Sequence, residues 1–183
     1  MKTIQLCSLI AKLACGACCM NGCATAPSSE GDRHALSTSV TAAMADFSNA
    51  DPTLKELLGK SAGYAIFPSV GKAGFVVGGS YGRGEVYEKG AKVGYADIKQ
   101  GTFGLQIGAQ TFSELVIFMR EADVVKFKGG EFSLSANASA VALKPGIAAS
   151  TDTSKGVIVF TRVSGGLMAE ATVGGQVFKY LPM

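Results

Sequence analysis

The sequence predicts an α+β fold in which short N-terminal helices precede a mainly antiparallel, strongly curved β-sheet or barrel. Apolar residues recur at helical spacing between Leu36 and Phe47, whereas short strand-like runs separated by Gly, Lys or Asp follow Gly59. In two of these runs, glycines leave one face of the strand without side chains, which favours bending of the strand. With 183 residues, 48% hydrophobic and 17% charged, the chain is long enough for one such domain.

Residues 1–22 are predicted to be an export signal. They contain Lys2 and Lys12 among apolar residues and no Asp or Glu. The segment is too short, and too interrupted by Lys12, to predict a transmembrane helix. All five cysteines lie within the first 23 residues, so the rest of the chain has no cysteine for a disulfide, a thiol nucleophile or a metal site.

The end of this signal predicts how the mature chain is attached. "ATA" at Ala24–Ala26 has the small-x-small pattern of ordinary signal peptidase sites, but Pro27 would follow that cut directly. "MNGC", Met20–Cys23, resembles a bacterial lipobox, whose cysteine is acylated and becomes the new N-terminus. The alternative is an incidental cysteine in a cleaved signal. The resemblance implies a covalent acyl anchor at Cys23 and, with Ala24 next to it, sorting to the outer membrane of a Gram-negative bacterium.

The charge of the mature chain argues against nucleic acid as a partner. Loss of residues 1–22 removes two lysines and no acid, so the formal charge falls from +3 to +1. General nucleic-acid binders carry a larger basic excess.

Residues 23–32 are predicted to be a flexible tether before a single domain at 33–183, because they are mostly small and polar with one proline. Asp32 is a candidate N-cap for the first helix. That helix either packs on the domain or lies on a membrane surface. Asp51 and Pro52 begin a second short helix that extends to Leu58.

Ten strands are predicted after this helix, joined by tight links that favour antiparallel pairing. A helical turn is predicted at Glu121–Phe127, between the fifth and sixth strands. The strands are Tyr64–Phe67, Gly74–Tyr87, Val93–Ile98, Thr102–Gln110, Leu115–Arg120, Glu131–Ser135, Ser139–Lys144, Gly156–Val163, Leu167–Val173 and Gln176–Tyr180.

The glycine-rich segment Pro68–Tyr87 does not fit a phosphate-binding loop. Such a loop needs a glycine five residues before its Gly-Lys pair and a hydroxyl after it, whereas Ile66 and Ala73 hold those places. The glycines instead alternate with larger residues, as they do in Thr102–Gln110, which predicts curved strands. Those on one face are Gly74, Gly78, Gly82 and Gly84.

Four blocks of the sequence resemble the SYLF domain family. They occur in order between about Leu54 and Tyr180 and read "GYAIFPSVGKAGFVVGGSYGRGEVY", "GLQIGAQTFSELVIFM", "SLSANASAVAL" and "GVIVFTRVSGGLMAEATVGG". The resemblance implies binding of phosphoinositide-like lipids or membranes, an exported lipoprotein as in bacterial members, and no established catalysis. It does not extend to actin binding, because "GYADIKQGTF" stands where many eukaryotic members have a tryptophan motif.

Three cations are the predicted lipid-binding residues. No Asp or Glu occurs between Leu57 and Gly84, and cations that converge there could hold lipid phosphates, with Tyr81 or Phe75 against acyl or glycerol groups. Arg83, inside a strand, could clamp a phosphate or pair with an acid. The alternative is scattered cations that keep a β-rich surface soluble. The three are Lys60, Lys72 and Arg83.

Catalysis has few candidates. His34 is the only histidine and lies beside the tether, so a zinc site or a Ser/His pair is not expected in the domain. A carboxylate hydrolase is the weakest alternative. Its candidate acids are Glu85, Glu88 and Asp97, and Glu121 with Asp123. We therefore expect a non-catalytic domain without metal or cofactor that binds membrane phospholipid or, alternatively, a structural or protein-interaction module with an envelope protein as partner.

Overall fold

The computed structural model describes residues 27–74, 77–103, 108–130, 133–134, 140–142, 144–165 and 175–183. The predicted signal, Cys23, Phe75 and the predicted strand Leu167–Val173 lie outside these ranges. Lipidation of Cys23 therefore stays a prediction. Within the described ranges, no helix has both the length and the apolar character needed to cross a membrane.

Two helices begin the described chain. Helix α1 spans Glu30–Ala50 and helix α2 spans Leu54–Lys60. Ser29 caps α1, since its hydroxyl accepts a hydrogen bond from the backbone N–H of Asp32 at 3.0 Å. The helix thus begins before the predicted cap, and residues 30–32 of the predicted tether are helical.

Eight described strands form one sheet in the order β5-β8-β3-β2-β1-β4-β7-β6. Every pair is antiparallel except β6 with β7. The strands are β1 Gly63–Gly74, β2 Val77–Glu88, β3 Ala91–Phe103, β4 Gly108–Phe118, β5 Ser133–Leu134, β6 Ala140–Ala142, β7 Val157–Gly165 and β8 Gln176–Pro182. The predicted α+β class with a mainly antiparallel sheet is confirmed. The described strands leave β5 and β6 at open edges, so closure into a barrel is not confirmed and strong curvature stays a prediction.

Three short helical segments complete the order. Helix α3 spans Glu121–Lys128, where a helical turn is predicted, and helix α4 spans Ile147–Ser150. A 3-10 turn spans Thr153–Lys155.

Two predicted strands each contain the link between two observed strands. Gly74 ends β1 and Val77 begins β2, so the predicted strand Gly74–Tyr87 belongs to two strands. The predicted strand Thr102–Gln110 is likewise divided between β3 and β4. Alternation of large and small residues has the same period in both flanking strands, so a short link does not interrupt the pattern.

Strand β1 continues through Pro68, where the sequence pattern predicts a break. Its register shifts between Ile66 and Ser69 against β2, and between Phe67 and Val70 against β4. Proline has no N–H to donate, and a bulge lets a central strand accommodate it.

Helices cover both faces of the sheet. On the α1 face, Phe47 and Leu54 from α1 and α2 join a core with Ile66, Leu115 and Phe160 from the strands. The same face also receives Ala148 of α4. Because Val40, Ala43 and Phe47 of α1 are buried, this helix packs on the sheet.

On the opposite, α3 face, Val124 and Phe127 of α3 join a core with Phe67, Phe118 and Phe178. The ring of Phe127 lies 4.9 Å from that of Phe118 and 5.4 Å from that of Phe178. Glycines of β2 let neighbouring strands approach closely on this face. A Cβ at Gly84 would collide with the backbone oxygen of Ile66.

Candidate functional site

The structure brings together two of the four residues predicted to bind lipid. Tyr81 and Arg83 lie two residues apart on β2, and Arg83 Nη2 donates a hydrogen bond to the Tyr81 hydroxyl at 3.2 Å. Lys60 lies on α2 and pairs with Glu56 at 2.6 Å, with both side chains exposed. Lys72 is buried in β1, where its register partner is Ser80, so it faces away from Tyr81.

Strand pairing adds neighbours that the sequence does not reveal. Tyr81 of β2, Lys99 of β3 and Val177 of β8 are successive cross-strand partners. Arg83, Asp97 and Lys179 form the adjacent row. Residues paired in this way lie side by side on one face of a sheet. We call these six residues the β2–β3–β8 surface.

This surface is exposed and positively charged. Tyr81 is 44% exposed and Val177 is 56% exposed, so both present apolar area to the surroundings. Lys99 and Lys179 are exposed as well, and Arg83 is half-buried. The three cations outnumber the one acid, Asp97, so the surface carries a formal charge of +2.

Asp97 organises the centre of this surface. Its carboxylate is fully buried, and Oδ1 accepts hydrogen bonds from Arg83 Nε and the Tyr81 hydroxyl, both at 3.3 Å. Burial, together with the Asp97 charge, raises the pKa of Tyr81, so the phenol stays neutral and can donate. The guanidinium is therefore held against the sheet in one orientation.

The acids proposed for a hydrolase each have a cation of their own. Lys92 pairs with Glu85 at 3.0 Å, Lys128 with Glu88 at 2.8 Å, and Arg120 with Asp123 at 2.6 Å. Glu121 is 3.5 Å from Lys89, and both side chains are largely exposed. His34 is exposed on α1. Such pairs are typical of structural and surface salt bridges.

A polar row crosses the α3 face beside its aromatic core. Lys72, Ser80, Gln100 and Gln176 are successive register partners on four strands, and all four are buried. The Ser80 hydroxyl donates to Gln100 Oε1 at 3.0 Å. This row gives Lys72 a buried polar environment in place of the predicted exposed one.

Glu114 of β4 is a buried acid that the sequence analysis does not single out. Gln176 Nε2 donates to Glu114 Oε2 at 2.9 Å, while Oε1 of each residue has no hydrogen-bond partner among the described residues. Burial raises the pKa of Glu114 to about 7. Strands β4 and β8 are four positions apart in the sheet, or about 19 Å if it were flat. This contact therefore joins distant strands across the α3 face.

Only alternation within β4 signals the position of Glu114. It shares its face with Val116 and Phe118, both of which are fully buried. An acid on such a face is unusual enough to suggest a special role. In the described parts of the chain, no group of three or more His, Asp or Glu side chains is arranged to hold a metal ion.

One family model matches the chain. Its description is "Ysc84: Las17-binding protein actin regulator", and the match covers residues 99–180. This range includes Lys99, Glu114, Gln176 and Lys179, and it agrees with the resemblance to the SYLF family. No curated protein matches the chain.

Proposed function

Because residues 99–180 match the SYLF (Ysc84) domain family, we propose that this domain binds anionic phospholipid head groups at a membrane surface through the β2–β3–β8 surface. The supporting observation is the strand register that sets Arg83, Lys99 and Lys179 around one buried carboxylate. Cations in this arrangement attract the phosphates of anionic lipids, and each contributes about 1 kcal/mol near such a surface.

Some residues of the surface contribute positive charge, and others contribute apolar contact area. Arg83 is fixed by Asp97 and Tyr81, so fewer of its rotamers are lost on binding. Lys99 makes no hydrogen bond or ion pair with any described residue, so its ammonium is available to a phosphate. Tyr81 and Val177 offer exposed apolar area that fits the boundary between head groups and acyl chains.

Lipidation at Cys23 would hold the domain beside its ligand. In this proposal the acylated cysteine anchors the chain in the outer membrane of a Gram-negative bacterium, and residues 24–29 connect it to α1. A short tether raises the effective concentration of the second contact, so even weak head-group binding is sufficient. The domain acts as a binding module and catalyses no reaction.

Vesicle sedimentation tests the proposal. A chain beginning at Ala24 contains the whole predicted domain, 33–183, so it is suitable. Phosphatidylcholine vesicles with and without phosphatidylglycerol are compared. We expect binding only to the anionic vesicles, and we expect the double variant Lys99→Ala/Lys179→Ala to weaken it by roughly 30-fold, since two charges contribute about 2 kcal/mol.

Lys126→Ala/Lys144→Ala is the matched control. It removes the same charge from two other exposed lysines, on α3 and before α4. Binding close to that of the unmodified chain is expected for this control. Equal losses in the two double variants would show that net charge, and not this surface, attracts the vesicles.

A protein-interaction module is the second candidate function. The printed description of the family names a protein partner and a regulator of actin, and the exposed Tyr81 and Val177 also suit a protein interface. A photo-crosslinking residue in place of Val177 separates the two functions. Crosslinks to one envelope protein, together with absence of anionic vesicle binding, would favour this second function.

A further inference from the structure

A cavity of about 780 Å³ opens between α1, α2, the start of β1 and the turn from β2 to β3. Met44, Leu58 and Tyr64 form its apolar wall, and each is half-buried at the edge of the α1-face core. Cavities of roughly 300–1,000 Å³ with mostly apolar walls are typical small-molecule sites. This volume is large enough to hold an acyl chain.

The Tyr64 ring gives this wall a fixed shape. It stacks on Tyr87, with ring centroids 4.9 Å apart and planes 11° apart. Burial, with the charge of Glu85, raises the pKa of Tyr64, so the phenol stays neutral in the cavity wall. A rigid aromatic wall requires little rearrangement when an apolar ligand enters.

Among the described residues that line the same cavity, two are lysines and none is acidic. Lys55 of α2 makes no hydrogen bond or ion pair with a described residue. Lys89 is 3.5 Å from Glu121, but their side chains are 81% and 79% exposed, so this pair is weak. The charge of the cavity therefore favours an anion.

The backbone at Lys89 is unusual. Its φ is 49°, and that of Gly90 is 80°, which together form the two-residue turn between β2 and β3. Asn, Asp or Gly are the usual residues with this conformation in such turns. A lysine here carries a steric penalty, and an outlier of this kind points to a function for the side chain.

We propose that this cavity binds a single-chain anionic amphiphile, such as a fatty acid, with its chain against Met44, Leu58 and Tyr64 and its carboxylate between Lys55 and Lys89. None of these residues belongs to the β2–β3–β8 surface, and the proposal does not depend on head-group binding there. The length of the ligand's acyl chain is recognised through burial of its methylene groups, and its carboxylate is recognised by the two ammonium groups.

Displacement of a fluorescent fatty acid tests the proposal. The probe is 11-(dansylamino)undecanoic acid, bound to the chain beginning at Ala24, and the competitors are octanoate, decanoate and dodecanoate below their micelle concentrations. Each buried methylene contributes about 0.8 kcal/mol, so affinity should rise about fourfold per methylene. Equal affinity for the three acids, or no binding of the probe, would overturn the proposal.

Variants then locate the site. Lys55→Ala/Lys89→Asn keeps a residue that suits the turn and removes both charges, so dodecanoate should bind roughly tenfold more weakly while dodecanol binds as before. Leu58→Trp fills the cavity and should abolish binding of both ligands. Thermal unfolding verifies that each variant is folded. Unchanged dodecanoate binding by folded forms of both variants would contradict the proposal.

The double variant Lys99→Ala/Lys179→Ala separates this site from the membrane surface. We expect it to lose vesicle binding and to bind dodecanoate as the unmodified chain does. A parallel loss of dodecanoate binding would show that the ligand occupies the sheet surface and not the cavity. Failure of vesicle binding in the unmodified chain, with chain-length-dependent fatty acid binding retained, would remove only the proposed head-group function.

Discussion

Glu85 and Glu114 are both fully buried, yet the two faces of the sheet hold them differently. On the α1 face, Glu85 accepts hydrogen bonds from Ser37 and Lys92 at 3.0 Å and from Tyr87 at 2.7 Å. On the α3 face, within the described parts of the chain, Glu114 accepts one hydrogen bond from a neutral amide, and its other oxygen has no partner there. Two equally buried carboxylates therefore differ in hydrogen bonding, because both oxygens of Glu85 have a donor and, among the described residues, only one oxygen of Glu114 has.

The comparison predicts that Glu85 stabilises the fold through the three side chains that donate to it. Glu85→Ala leaves the Lys92 ammonium and two hydroxyls without their acceptor in a partly buried site, which should lower the free energy of unfolding by about 3–5 kcal/mol. Urea denaturation at neutral pH measures this change. Glu56→Ala, which breaks the exposed pair with Lys60, is the control and should lower it by less than about 1 kcal/mol. Similar losses in the two variants would show that Glu85 contributes no more than a surface charge.

At Glu114, replacing the acid is expected to raise the free energy of unfolding at neutral pH, whereas at Glu85 it is expected to lower it. Its pKa is about 7 in the folded protein against 4.5 for the ordinary group, so the folded chain retains a proton that the unfolded chain has already lost between these values. The free energy of unfolding therefore falls as pH rises from 4.5 to about 7 and stays at the lower value above that. Glu114→Gln has no charge to bury, so it should be more stable than the unmodified chain at pH 8, by about 2–3 kcal/mol.

Urea denaturation at several pH values between the two limits tests this prediction. The stability curves of Glu114→Gln and the unmodified chain should meet near pH 4.5 and diverge toward neutral pH. Glu56→Gln, on the exposed surface of α2, is the matched control and should follow the unmodified chain. Curves that remain parallel would mean that Glu114 is ionised throughout.

The contrast between these acids also shows what the sequence can predict. Amphipathic spacing from Leu36 to Phe47 and the strand-like runs after Gly59 are local patterns, and they predict the helices and the antiparallel sheet correctly. The hydrogen-bond partner of Glu114 is Gln176, which is 62 residues away. No local pattern indicates that contact.

The candidate site was harder to predict because it depends on strand register. Lys72 and Arg83 fall in one stretch without acids, but the hairpin between β1 and β2 puts them on opposite faces. Without the position of that hairpin, alternation cannot relate the two residues. Lys99 and Lys179 join Arg83 only because β3 pairs with both β2 and β8.

The smallest expected effect is that of replacing a third buried acid, Asp97. This change is expected to alter vesicle binding. Asp97→Asn keeps an oxygen acceptor for Arg83 and Tyr81 and raises the formal charge of the β2–β3–β8 surface from +2 to +3. One added positive charge should strengthen binding to anionic vesicles about fivefold, or about 1 kcal/mol. Glu114→Gln, the same change of acid to amide on the α3 face, should alter stability and leave vesicle binding unchanged. Weaker binding by Asp97→Asn would instead show that the carboxylate matters chiefly by orienting Arg83. A change of vesicle binding in Glu114→Gln would place the lipid contact on the α3 face.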